Sequence, residues 1–212
     1  MNFPIGSVSV LILLVLLLFN NIIDTTVVQR RVLIVGFAAI LLGSWLIVPV
    51  PSPKAVQVEL NVGQSLLPAL IGLIAWLDLP QDEKYHASLG TLAVGLFLYG
   101  FTGLIDIEPG IMGYPLLFSL PLTVIIARLT AKTTTAATLA LVGGSSLVIL
   151  LRYIESAFTF PVNTVVDLPG QLLWNTTSLA IVGSFALVWF KQQVKLVRQR
   201  IALPREEHED NL

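Results

Sequence analysis

The chain has 212 residues, of which 55% are hydrophobic and only 12% charged, at a net charge of -1. A soluble domain carries about a quarter charged residues to cover its surface, so much of this surface must face lipid, and the charge balance argues against nucleic acid as a partner. There is no cysteine, and the two histidines, His86 and His208, fall in a short loop and in the tail. That leaves no thiol chemistry, argues against a buried zinc or haem site, and implies no cofactor.

A helix needs about 20 apolar residues to cross about 30 Å of hydrocarbon. Seven stretches qualify: 5–23, 32–50, 61–79, 86–105, 111–129, 134–154 and 170–190. The first has no basic residue before it and no small-x-small site after it; it ends in Asn20, Asn21 and Asp24, so it reads as a span and not a secretion signal. After the second, Ala55 to Leu60 alternate apolar and polar with a strand-like period of two. The third opens with Asn61, Gln64 and Ser65 and contains Pro68, which fits either a full span or a re-entrant half helix. Asp106 and Glu108 close the fourth. Pro115 and Pro121 are expected to kink the fifth, since each removes a backbone donor and crowds the preceding turn.

Gly143, Gly144, Ser145 and Ser146 fall near the middle of the sixth span, where small residues let another helix approach or an unwound site form. That span ends with Arg152 and Glu155, three apart on one helical face and placed for an ion pair. Residues 161–168 are strand-like again and carry Asp167. The seventh span holds a polar belt, Asn175-Thr176-Thr177-Ser178. The transmembrane domain is taken as 1–190. In the tail, 191–212, Lys191, Lys195, Arg198 and Arg200 accompany apolar Val194, Leu196, Val197 and Ile201. This basic segment is expected to lie on anionic headgroups as a membrane-surface anchor, and the acidic segment beyond Pro204 to be disordered.

Lys and Arg set the orientation. Arg30, Arg31, Lys84, Arg128, Lys132 and all the tail basics fall on one side of an alternating chain, which leaves only Lys54 and Arg152 of the 12 on the other. The positive-inside rule makes the richer side cytoplasmic, with the N-terminus outside. The expected fold is therefore an all-α bundle of about seven spans in a cell (plasma or inner) membrane. The two strand-like loops form a small hairpin-like, two-stranded element outside. Each leads into a Gly-Gln pair, Gly63-Gln64 and Gly170-Gln171, which reads either as a weak parallel repeat or as coincidence.

Polar side chains within spans are costly and are candidates for function. Asn61, Gln64, Ser65, Gln171, Asn175 and Thr176 form the candidate ligand-binding set, with Gly63 and Gly170 at the outer helix starts. The same residues also suit plain helix–helix hydrogen bonding. Asp106, Glu108, Arg152, Glu155 and Asp167 gather at the outer mouth, as a charged ring or as ordinary helix ends. Two functions stay open: binding or transport of a small solute or ion, and a structural subunit docking a partner membrane protein or a second copy. An intramembrane enzyme ranks third, because no aspartate sits mid-span and no histidine is there to serve a serine nucleophile.

Two stretches carry a resemblance. Leu60 to Leu70 (LNVGQSLLPAL) and Pro109 to Val148, with Pro-Gly-Ile followed by Ala-x-x-Gly-Gly, resemble a family of prokaryotic multi-pass membrane proteins called domain of unknown function 1614. They cover under a third of the chain. The family pattern continues into Gly-Ala-Asp-Leu, where this chain reads Leu150-Leu151-Arg152-Tyr153 without the acidic residue. The resemblance implies a multi-pass helical fold and no particular activity.

Overall fold

In lipid, water cannot satisfy the backbone, so an apolar run must bond to itself as a helix. The computed structural model describes residues 5–19, 27–51, 57–107, 115–131, 133–156, 158, 165–168 and 170–209. Its helices are α1 (Ile5–Phe19), α2 (Val27–Gly43), α3 (Leu67–Leu77), α4 (Gln81–Ile107), α5 (Pro115–Thr130), α6 (Thr134–Ser156) and α7 (Gln171–Glu209). A π-helical turn, Val62–Leu66, precedes α3. Among the described residues, three segments are long and apolar enough to cross a membrane: Gln81–Ile105 in α4, Thr134–Ser156, and Gln171–Val197 in α7. The remaining apolar helices are shorter; α5, at 16 residues, spans about 24 Å.

Three strands cap one end: β1 (Ile47–Val50), β2 (Gln57–Asn61) and β3 (Val165–Leu168), in the order β1-β2-β3. The expected second span thus stops early, at Gly43. A continuous apolar run does not distinguish helix from strand. Here the Ser44 amide and hydroxyl both bond Ile40 O, at 3.0 and 2.7 Å, and close the last turn. The β-branched Ile47, Val48 and Val50 then favour extended backbone. The expected two-stranded, hairpin-like element is corrected in two ways. It gains a third strand, and β2 and β3 pair parallel, Gln57 opposite Val165 and Leu60 opposite Leu168. Parallel pairing follows from the topology, because both strands feed helices that leave the same end of the bundle.

β1 runs antiparallel to β2, with Ile47 opposite Asn61 and Val50 opposite Val58. The Val62 amide bonds Leu46 O at 2.9 Å. That bond sets the phase: Val48 and Val50 turn their peptide groups to β2, and Ile47 and Pro49 turn theirs outward. Pro49 therefore loses no ladder bond and blunts the free edge. The inner face of the sheet, Val58, Leu60, Val166 and Leu168, packs on Ile149 and Tyr153 of α6.

Glycines join α4 to α6. A Cβ on Gly144 would lie 3.0 Å from Gly95 N, and one on Gly95 would lie 3.2 Å from Gly144 O. Gly90 meets Ala140 and Gly143 meets Thr91 in the same way. The small residues in mid-α6 thus serve close backbone packing, where dispersion is the main attraction between helices in lipid.

Two further expectations change. Pro115 does not kink its helix; it is the first residue of α5, where a missing amide hydrogen costs nothing. Pro121 does lie inside α5. In the tail, α7 continues as one helix to Glu209, past Pro204, where the acidic composition points to disorder.

Candidate functional site

Helix α5 shows the organising rule of the molecule. Phe118, Leu122, Ile125 and Leu129, spaced by three and four, are exposed, and Ser119 and Thr123 are fully buried. A soluble helix does the reverse. Leu70, Leu73, Ile74 and Leu77 on α3, and Leu92 and Leu96 on α4, are also exposed. Apolar outside and hydroxyls inside is the arrangement that lipid selects.

Contacts at the two ends of the bundle show that consecutive helices alternate in direction. At the sheet end, the Gly6 amide of α1 bonds Asn175 Oδ1 of α7 at 2.8 Å. Asn61 Nδ2 donates to Ser44 O, just past α2, at 2.7 Å, and its Oδ1 accepts from the Gln64 amide at 3.0 Å. Ser65 Oγ donates to Asn61 O. Arg152 Nη1 pairs with Glu155 Oε2 at 3.0 Å, Arg152 Nη2 donates to Thr102 on α4 at 3.2 Å, and Tyr99 donates to Glu155 at 3.3 Å. The Arg152 guanidinium also lies 5.4 Å from the Tyr99 ring centre. At the opposite end, Thr133 donates to Glu83 at 2.8 Å, His86 Nδ1 meets Thr130 O at 3.1 Å, and Lys84 Nζ sits over Trp76.

The six candidate ligand residues divide between several contacts. Asn61 holds the π turn to the end of α2, and Ser65 closes the turn on Asn61 O. Gly63 lies between them, so close to α2 that a Cβ would fall 2.3 Å from Ile40 O. Asn175 holds α1 to α7, and Thr176 Oγ1 meets Ser119 Oγ of α5 at 3.0 Å. Gln64 is half-buried and Gln171 is exposed. Among the described residues, no hydrogen bond joins the Asn61 group to the Asn175 group. Of the outer-mouth charges, Arg152 and Glu155 are paired; Glu108 and the side chains of Asp106 and Asp167 lie outside the described residues, as do the side chains of Arg198 and Arg200.

A second polar feature runs along the interior of α7. Beside the Ser119–Thr176 contact, Thr123 Oγ1 donates to Ser119 O at 2.6 Å. Toward the other end, Arg128 reaches Ser184 O and Thr134 Oγ1, each at 3.4 Å. Between these points, Thr177 is 4% exposed and Ser184 is 0% exposed. Among the described residues, neither hydroxyl has a hydrogen-bond partner, and nor does the Trp174 indole N–H at the sheet end. Thr177 and Ser184 are seven apart, so they share one face of α7. A buried hydroxyl left unpaired costs about 1–3 kcal/mol. Sequence reasoning missed Ser119, Thr123 and Ser184. The i, i+4 spacing of the first two, opposite the apolar stripe of α5, was the available signal; Ser184 alone in an apolar run gave none.

An apolar exterior around an interior laced with hydroxyls defines a helical membrane protein. No family model, curated protein or solved structure matches the chain.

Proposed function

We propose that the chain is a seven-span protein of a cell membrane, N-terminus outside and C-terminus cytoplasmic, that binds or passes a small polar solute or ion along the interior face of α7. The observation that carries this reading is the pair of buried, unpartnered hydroxyls, Thr177 and Ser184. A hydroxyl unpaired in an apolar interior is stabilised by gaining a polar partner. Thr177 follows Thr176 directly in the chain, and the backbone carbonyl of Ser184 accepts from Arg128 at 3.4 Å. Asn175, whose side chain accepts from the Gly6 amide of α1, lies at the sheet end of that path. The alternating helix directions and the side preference of the basic residues support the seven spans and their orientation. The resemblance to the uncharacterised multi-pass family accords with the same architecture and adds no activity.

Proteoliposomes test the reading with potassium, chloride and glycerol as permeation probes. At least one should cross faster than in protein-free vesicles, and Thr177→Val with Ser184→Val should remove the excess. Wild-type rates equal to those of empty vesicles for all three probes would overturn it.

A second reading, a subunit docking a partner membrane protein, draws on one observation. Trp45, Leu46, Ile47 and Val48 form an exposed apolar run that leads into the edge strand β1. Co-purification of a stoichiometric partner, lost on Trp45→Ser with Ile47→Ser, would favour it.

A further inference from the structure

Helix α7 is continuous from Gln171 to Glu209, and this changes what its basic residues can do. Twenty residues of helix, Gln171 to Phe190, cover about 30 Å, the thickness of the hydrocarbon core. Trp189 and Phe190 are exposed at that boundary, and Lys191 and Lys195 follow them on the same continuous rod. A continuous helix that has just crossed the hydrocarbon leads away from the membrane unless it kinks. Arg198 is seven residues beyond Lys191, about 10 Å further along the axis, which is about one screening length at physiological salt. Only the first basic turn stays at the headgroups.

That turn carries a shallow groove of about 310 Å³, lined by Phe190, Lys191, Val194 and Lys195. Two i, i+4 pairs build it. Phe190 and Val194 form an apolar strip, and Lys191 and Lys195 a cationic ridge one residue round. Side chains at i and i+4 stand about 6 Å apart, so both ammonium groups reach one phosphate. Neither lysine has an ion pair among the described residues. A ligand that fits has a phosphate for the lysines and a hydrocarbon chain for Phe190 and Val194, joined at the membrane boundary.

We propose that Phe190, Lys191, Val194 and Lys195 form a binding site for the headgroup phosphate and upper acyl chain of one anionic phospholipid of the cytoplasmic leaflet. The inference rests on α7 spanning the membrane and not on any solute passing through the bundle.

Native mass spectrometry of the full-length protein released from micelles tests it, with phosphatidylglycerol and phosphatidylcholine as probes. The wild type should retain one phosphatidylglycerol in preference to phosphatidylcholine. Lys191→Gln with Lys195→Gln should weaken that retention about thirtyfold, about fivefold for each lysine near an anionic group. Arg198→Gln with Arg200→Gln should leave it within about twofold. Phe190→Ser should weaken phosphatidylglycerol and leave binding of inorganic phosphate unchanged. Equal loss in the two charge variants would overturn the site in favour of a diffuse basic tail. Inorganic phosphate displacing the lipid completely at millimolar concentration would reduce it to a simple anion site. A dimer that disappears with Lys191→Gln and Lys195→Gln, without lipid loss, would assign the surface to a second copy.

Discussion

Gly63→Ala should destabilise the protein more than any other glycine-to-alanine change in the sheet-end region. A methyl group there would lie 2.2 Å from Ser44 N, 2.3 Å from Ile40 O and 2.4 Å from Gly43 C. All three atoms are backbone, so no side chain can swing aside. The π turn and the end of α2 must separate, and the 2.7 Å bond from Asn61 to Ser44 O stretches with them. Forced overpacking costs about 1–3 kcal/mol, and backbone on three sides puts this case near the upper figure. A weakened interhelical hydrogen bond adds about 0.6 kcal/mol. At about 2–4 °C per kcal/mol for a chain of this length, the apparent Tm should fall by about 7–14 °C. The assay is thermal unfolding in one detergent, with Gly100→Ala as control, because a Cβ at Gly100 meets nothing within 4 Å. That control should be neutral or slightly stabilising. A Gly63→Ala protein melting within 2 °C or so of wild type would refute the close approach and the role given to Asn61.

Gly170 has φ 73° just before α7; Gly170→Ala should cost about 1 kcal/mol, read as a Tm lower by about 3 °C. Arg152 and Glu155 have side chains 13% and 24% exposed. Arg152→Met alone should therefore cost about 3 kcal/mol by leaving Glu155 unpaired, and Arg152→Met with Glu155→Gln should recover much of it, a non-additivity that a double-mutant cycle measures. Gly144→Leu should separate α4 from α6 and lower Tm by about as much as Gly63→Ala, since a Cβ there already lies 2.6 Å from Val94 Cγ1 and 3.0 Å from Gly95 N.

Hydrophobic run length located the helices in the sequence, because the backbone in lipid has so few alternatives. It failed at residues 44–50, where an apolar run leaves the helix for a strand, since apolarity there reports surroundings and not conformation. Alternation from Ala55 to Leu60 marked β2 and the strand-like 161–168 segment marked its partner β3, but the parallel direction was not read, because it depends on where the intervening helices end. The polar residues were visible and their partners were not. Asn61 spends its side chain on Ser44, 17 positions earlier, and Asn175 bonds Gly6, 169 positions away; periodicity is blind to both. The Arg152–Glu155 pair was legible because it is local, three residues along one helix.

The proposed solute path along α7 and the proposed lipid site at its end both require that the helices cross the membrane alternately with the C-terminus inside. The chain has no cysteine, so single cysteines introduced at Lys54, Lys84 and Lys195 report side without background. With a membrane-impermeant maleimide on intact cells, Lys54→Cys should label, and Lys84→Cys and Lys195→Cys should label only after permeabilisation. Labelling of Lys54→Cys and Lys195→Cys from the same side would contradict the account.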